Sequence, residues 1–335
     1  MTATRTPPTV NLRKSYVPVP ADIFEAECVL TFSLYARPNG GAIECVCHQS
    51  ESLDQRQLQA LKADSVRVFY VDTAEHRAYQ QFAESALGNI VDRDDLPAGK
   101  KVEICYSTTR ELIREAFESS NLEQVVDTHR ETWVNNMVTL ICSDEAALDS
   151  MVGMLSHDYY TYTHMVNVSV MVTALAYRLG QRDKDTLRQL ASGGLLHDIG
   201  KTRVNPDTLN KVGRLTPQEW DELKQHPDLG LQFLLSRPGI KPMELMMVHQ
   251  HHEKLDGGGY PQGLVGREIT AEAQMTAVVD IYDALTSKRP YRKAMPHEQA
   301  VAILKEEAAA KTNREMTMAW IATVERIRAQ EQRHD

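Results

Sequence analysis

No apolar run in the 335-residue chain approaches the roughly 18 to 20 residues that a membrane-spanning helix requires, so no helical span is expected. A long basic run is also missing and the net charge is −9. That combination argues against a general nucleic-acid surface and leaves only local positive patches, enough for a small anionic ligand. Cysteine is scarce and odd in number: Cys28, Cys45, Cys47, Cys105 and Cys142 all precede the histidine-rich region. Such a set suits reduced thiols in a cytosol rather than a disulfide framework, and none reads as a catalytic nucleophile. Cys45-Val46-Cys47 has no second pair to complete a soft metal site, so it reads as two half-buried strand cysteines. No apolar segment follows the basic residues of MTATRTPPTVNLRK, and residues 1–20 read as a flexible, cytoplasmic lead-in rather than a secretory signal. Fixed-period repeats and low-complexity tracts are absent.

The length suits two domains, each with its own core. Residues 21–48 read as two strands around the turn Arg37-Pro38-Asn39-Gly40-Gly41, followed by a helix near Leu53–Ala63, a strand Val66–Val71 and a helix Thr73–Ile90. Residues 21–100 are thus a small α/β domain. After Pro97-Ala98-Gly99 the periodicity becomes helical: Val102–Ser119, Leu122–Met137, and Asp144–Leu155 with Ser143 as its N-cap. Residues 101–143 read as a helical connector and 144–335 as an all-α domain. Its helices fall at His164–Leu179, Lys184–His197, Pro217–Lys224, Leu229–Leu235, Pro242–His249, Ala271–Thr286 and His297–Ala309. The fold class is multidomain: a small α/β domain, then an all-helical one.

The chemistry concentrates between His164 and Asp280. His164, His197-Asp198, His226, His251-His252 and Asp280 offer neutral imidazoles and carboxylates, the donor set of a site for two or more divalent ions and hence of metal-assisted hydrolysis. His197 and Asp198 close the segment SGGLLHDIGK, where Gly200 stops the helix. Adjacent helical side chains diverge by about 100 degrees, so both reach neighbouring ions only near a helix end, with Asp198 bridging. Lys201 falls close by. His251-His252-Glu253 precedes Asp256-Gly257-Gly258-Gly259-Tyr260-Pro261, a loop whose glycines permit close backbone approach. Asp280 and Asp283 share one face of an apolar helix, where a buried carboxylate needs a partner. His249 matches no ligand position, and His48, His76, His129, His157, His297 and His334 are isolated and read as surface residues.

Together, YTYTHMVNV, LLHDIGKTRVNPDTLNKVGRLTPQEWDELKQHPDLG, HHEKLDGGGYPQGL and VVDIYDALTSKRPYR resemble the HD-GYP family, the branch of the HD phosphohydrolases that hydrolyses cyclic di-GMP. The resemblance covers roughly residues 145–310. It implies a metal-ligand set of His164, His197, Asp198, His226, His251, His252 and Asp280, with Asp198 and Lys201 acting at the reacting phosphate. It further implies substrate contacts from Lys201, Tyr260, Asp283, Arg289 and Arg292. Some family members hold a third metal with a Glu four residues before the first ligand His. Tyr160 stands there in this chain, so two ions are expected, with Asp158 in a surface or capping role.

Imidazole and carboxylate donors without thiolate suit iron or manganese, with zinc, nickel and cobalt also compatible. Two bridged ions would lower the pKa of a shared water toward about 7, giving a hydroxide that attacks the phosphodiester. The expected reaction converts cyclic di-GMP to linear pGpG, and onward to GMP if both bonds are cut. Alternatives are a cyclic-dinucleotide sensor, a module binding a partner such as a diguanylate cyclase, or a hydrolase of another cyclic dinucleotide. A homodimer is compatible with any of these.

Overall fold

The computed structural model describes residues 15–332, apart from 25–26, 38–40, 64–67, 119–122, 124–125, 128–129, 156–160, 212, 289–292 and 309. The chain divides into two compact units, Met1–Asn89 and Ile90–Asp335.

The first unit holds four strands, β1 (Tyr16–Pro20), β2 (Leu34–Ala36), β3 (Glu44–Cys47) and β4 (Val68–Asp72), in an antiparallel sheet of order β1-β4-β2-β3. Helices Gln55–Ala63 and His76–Val91 complete it. β2 and β3 flank the turn expected at 37–41, whose residues 38–40 lie outside the described set. β1 corrects the sequence reading, which gave Tyr16–Pro20 to the lead-in. Its Pro18 and Pro20 suppress the strand signal, but an edge strand tolerates proline because it is bonded on one side only. The core of this unit is aromatic. Phe24 packs on Phe69 and Phe82 at centroid distances of 5.4 and 5.3 Å, and Phe32 meets Tyr79 edge-on at 5.7 Å.

The second unit is helical among its described residues. Helix Thr161–Arg178 is buried at every position from Thr163 to Ala176, as expected of a segment apolar on all sides. It packs against helices Lys184–Leu196, Ala271–Thr286 and Ala98–Glu118. Helix Lys184–Leu196 starts at the N-cap Asp183, whose carboxylate accepts from Thr186 N–H, and also touches helices Pro242–Gln250 and Arg130–Ser143. Its close approach to Thr161–Arg178 depends on Gly194, where a Cβ would lie 2.8 Å from Val172 Cγ1 and 2.9 Å from Ser169 Cα.

Two local expectations change. Helix Arg130–Ser143 runs through Ser143, and Asp144 rather than Ser143 caps helix Glu145–Gly153 by accepting from Ala146 N–H. The stretch expected to be a connector packs within the second unit: helix Ala98–Glu118 lies against Arg130–Ser143, Glu145–Gly153 and Thr161–Arg178. A helix the sequence reading did not name, Arg314–Glu331, buries Thr317, Trp320, Ile321, Val324 and Ile327 and packs on Thr161–Arg178 and Ala271–Thr286.

Candidate metal centre

Five segments bring their donors to one point. Helix Thr161–Arg178 supplies His164 from its first turn. Helix Lys184–Leu196 ends so that His197 is its C-cap and Asp198 begins a 3-10 turn, Ile199–Arg203. That turn brings Lys201 N–H back to Asp198 O at 2.9 Å and lets Lys201 Nζ reach Asp198 Oδ2 at 2.5 Å. The 3-10 turn packs on helix His226–Leu235, which presents His226 as its first residue. Helix Pro242–Gln250 ends at His251-His252, and helix Ala271–Thr286 contributes Asp280.

The donors form two groups, His164/His197/Asp280 and Asp198/His226/His251/His252, each with ligand atoms within 4.8 Å of one another. Asp198 lies between them. Its Oδ2 faces His164 Nε2 and His197 Nε2, each at 3.4 Å, while Oδ1 faces His226 Nε2 at 3.3 Å and His251 Nε2 at 3.7 Å. Within the groups, Nε2 of His164 and of His197 are 3.2 Å apart, and those of His226 and His251 3.3 Å. Metal–nitrogen bonds of about 2.0–2.1 Å at tetrahedral or octahedral angles set ligand nitrogens about 3.0–3.4 Å apart, so the spacing fits shared cations. Asp198 Oδ1 is buried without a hydrogen-bond partner among the described residues, which a cation would supply.

The second ring nitrogens explain the orientation. Nδ1 of His197, His226 and His251 donates to the carbonyls of Gly194, Leu223 and Val248 at 2.7, 2.8 and 2.9 Å. That fixes the tautomer that leaves Nε2 free to ligate. His164 is gripped at both ends by one helix. Its Nε2 is 3.0 Å from Asp280 Oδ1, and its Nδ1 donates to Asp283 Oδ2 at 2.6 Å.

Protonation follows from these contacts. Burial holds the imidazoles of His226, His251 and His252 below their usual value, His252 furthest because His251 and His226 crowd it. Asp198 and Asp280 are buried, which would raise them, but Lys201 and His197 around Asp198, and His164, His252 and His197 around Asp280, hold both well below the carboxylate range. Burial acts to lower His164 too, yet Asp198, Asp280 and Asp283 outweigh it and raise it well above its usual value. A proton there balances carboxylate charge that a divalent cation would balance instead.

Of the other residues expected to act, Asp283 is buried. It is 2% exposed, and both its oxygens are occupied, one by His164 and the other by Asn167 Nδ2 at 2.8 Å. Asp283 thus holds the His164 ring from the side away from Asp198 and Asp280. Tyr260 stacks on His252 at 4.7 Å, and burial first, then Asp198 and Asp280, push its phenol upward. Arg289, Arg292, Tyr160 and Asp158 lie outside the described residues. His249 Nε2 donates to Asp228 Oδ1 at 2.8 Å, away from the candidate ligands.

Two residues escaped the sequence reading in these roles. Glu253 is buried, and its carboxylate accepts the N–H groups of Gln262, Gly263 and Leu264 at 2.6, 3.1 and 3.0 Å, closing the glycine-rich loop. Gly259 lets that loop return, since a Cβ there would meet Lys254 N at 2.4 Å. Asn167 was visible only as an amide in a largely apolar helix.

Comparison with known proteins places the fold. A family model described as HD domain matches residues 137–316. The cyclic di-GMP phosphodiesterase PA4108 of Pseudomonas aeruginosa is 31% identical over 260 residues, 74% of this chain and 62% of the relative. The 3'3'-cGAMP-specific phosphodiesterase 3 of Vibrio cholerae is 40% identical over 147 residues, 44% of this chain and 32% of the relative. The chain thus spans less than two thirds of the length of either relative. In fold it is similar to Bd1817, an HDG"Y"P protein from Bdellovibrio bacteriovorus, with a TM-score of 0.66 at 20% identity, covering 93% of this chain and 100% of that one. With the domain match spanning more than half of its length and Gly259-Tyr260-Pro261 following its histidine pair, the chain belongs to the HD domain family, in the HD-GYP branch.

Proposed function

We propose that the chain is a metal-dependent phosphodiesterase that opens cyclic di-GMP to linear pGpG, using two divalent cations, iron or manganese by ligand type. The observation that carries this reading is Asp198, with one oxygen turned to each half of the ligand set. Bound there, two cations would acidify a shared water toward a pKa of about 7 and draw charge from the phosphate oxygens.

The chain's own groups support the same reading. Asp198 and Asp280 stay anionic and His226, His251 and His252 stay neutral at pH 7, the states that ligation needs. The Lys201 ammonium sits against Asp198, where a phosphate oxygen approaching that carboxylate meets a positive charge. His252 and Asp280 have side chains 25% and 12% exposed, against 1% or less for His164, His197, Asp198, His226 and His251. Substrate therefore approaches from the His252 and Asp280 side. Helix Ala271–Thr286, which carries Asp280, is followed in sequence by Arg289 and Arg292, whose guanidinium forks suit phosphate. Tyr260 keeps its hydroxyl proton and covers one face of the exposed ligand His252.

A second substrate, 3'3'-cGAMP, is favoured by the 40% identity to the Vibrio cholerae enzyme. The test is turnover of both nucleotides, side by side, by protein reconstituted with Fe(II), Mn(II), Zn(II), Ni(II) or Co(II). The expected result is pGpG from cyclic di-GMP, lost in Asp198→Ala with an unchanged circular dichroism spectrum. Binding without turnover under every metal would overturn the enzyme reading in favour of a sensor, and faster turnover of cGAMP would reassign the substrate.

A further inference from the structure

Behind His164 lies a line of buried polar groups that the ligand set does not include. Tyr106 O–H donates to Asn167 Oδ1 at 2.8 Å. Asn167 Nδ2 donates to Asp283 Oδ1 at 2.8 Å, and Asp283 Oδ2 accepts from His164 Nδ1 at 2.6 Å. The four side chains come from three helices: Tyr106 from Ala98–Glu118, Asn167 and His164 from Thr161–Arg178, and Asp283 from Ala271–Thr286. Their exposures are 5%, 0%, 2% and 1%. Four adjoining polar residues at that depth are costly unless each has a partner, and along this line each is partnered by the next.

The direction of the line is fixed. A carboxylate between an imidazole N–H and an amide can only accept, so Asn167 must turn its NH2 to Asp283 and its oxygen away, and the only proton offered to that oxygen in this line is the Tyr106 hydroxyl. Asn167 lies one helical turn after His164, and Asp283 one turn after Asp280, so the backbone sets both links. Tyr106 alone comes from outside the four family-like segments.

We propose that Tyr106 is a positioning residue for the metal centre, holding Asn167 so that Asp283 locks the ring of His164 with Nε2 on the cation. The proposal rests on the metal-site reading given above and extends it to helix Ala98–Glu118. That helix is thereby part of the apparatus that aims a ligand, and a movement of it re-aims His164 without touching the other six. The line moves no proton: each donor keeps its hydrogen, and the four groups act by orientation and polarisation.

Three variants and one double variant test this in the full chain. Tyr106→Phe removes a single oxygen and preserves the ring. Asp283→Asn turns an amide donor toward either His164 or Asn167, and Asn167→Asp sets two carboxylates face to face. The double variant Asn167→Asp with Asp283→Asn reverses the middle link: the residue-283 amide donates to the residue-167 carboxylate and still accepts from His164, while the Tyr106 hydroxyl still has an acceptor. Mn(II) affinity is read by calorimetry, and the ring-nitrogen resonances of His164 by 15N NMR on the metal-free protein.

The expected result is a loss of about tenfold in Mn(II) affinity for Tyr106→Phe, and about 10- to 100-fold for each of the other single variants. The double variant should return to within a few-fold of wild type, a rescue that a purely structural role or a role for the Asp283 charge alone would not give. Tyr106→Phe should also move the His164 Nδ1 resonance. An unchanged affinity and unchanged resonances in Tyr106→Phe, or a double variant no better than its worse parent, would overturn the proposal. If the wild-type protein takes up no metal at all, the function proposed above fails. The His164 resonances then still decide the matter: a shift in Tyr106→Phe supports the line, and no shift overturns it.

Discussion

Gly200 provides a test in which geometry dictates the size of the effect. A Cβ at this position would lie 1.9 Å from the His226 carbonyl oxygen and 2.5 Å from Gly230 N, against an ordinary contact near 3.4 Å. Both obstacles are backbone, so no rotamer change relieves the clash, and the two segments must part by about 1.5 Å in Gly200→Ala. Overpacking of this kind destabilises by about 1–3 kcal/mol, which lowers the melting temperature by about 2–12 °C for a unit of this size. The same retreat takes His226 Nε2 away from Asp198 Oδ1, its neighbour at 3.3 Å. A displacement near 1 Å at a reacting centre costs on the order of 100-fold in rate. Elemental analysis after dialysis, a melting curve and turnover of cyclic di-GMP should together show lost metal, a lower midpoint and depressed activity. Gly88→Ala is the control, because nothing lies within 4 Å of its Cβ and alanine in a helix stabilises by up to about 1 kcal/mol over glycine. Wild-type metal content and melting temperature in Gly200→Ala would refute the reasoning.

Three further outcomes are expected. Glu253→Gln can keep its one acceptor oxygen on the N–H groups of Gln262 and Gly263, but it then turns an NH2 toward the N–H of Leu264. The loop should loosen by about 1–3 kcal/mol and be cut faster by limited proteolysis between residues 254 and 265; unchanged cleavage would refute this. For the metal-free protein, His226, His251 and His252 are depressed from 6.5 in the folded state, so their contribution to stability is present above about 6.5 and is lost as pH falls and the unfolded chain takes up more protons. His164 is raised, despite burial, by its three carboxylates, so its contribution is present at low pH and is lost only as pH rises through its folded value. With three groups opposing one, the melting temperature should fall on acidification from about pH 7 to 5.5, and a flat or rising profile would contradict the assignment. Burial raises the Cys105 thiol to about 12, and burial with Glu51 nearby raises Cys47 to about 11. A thiol reagent at about pH 8 should label the exposed Cys45 and leave those two unmodified until the chain unfolds, as mass spectrometry would show.

The clustering of the candidate donors was legible because ligand chemistry restricts residue type, and adjacency in His197-Asp198 and His251-His252 marks helix ends in the sequence itself. Asp283 was legible as a buried carboxylate but not in its contacts. Spacing puts it on the face of Asp280, but its contact with His164 Nδ1 depends on where the ring of a residue 119 positions away lies. Tyr106 could not have been found, because its partner Asn167 is 61 residues away and neither belongs to a repeating pattern. The cap at Asp144 instead of Ser143 reflects two neighbouring residues of equal capping chemistry, between which packing chooses. Helix Arg314–Glu331 carried a usable signal in Thr317, Trp320, Ile321, Val324 and Ile327, spaced three or four apart amid charged residues.

Pro18 and Pro20 give the N-terminal sheet a property beyond its own stability. β1 borders the sheet on one side, paired to β4 alone among the described strands. Two of its five residues have no amide hydrogen to offer a newcomer. A foreign strand arriving at that rim would find acceptors without the alternating donors it needs, so growth by edge-to-edge stacking is blocked there by covalent structure, whatever the concentration.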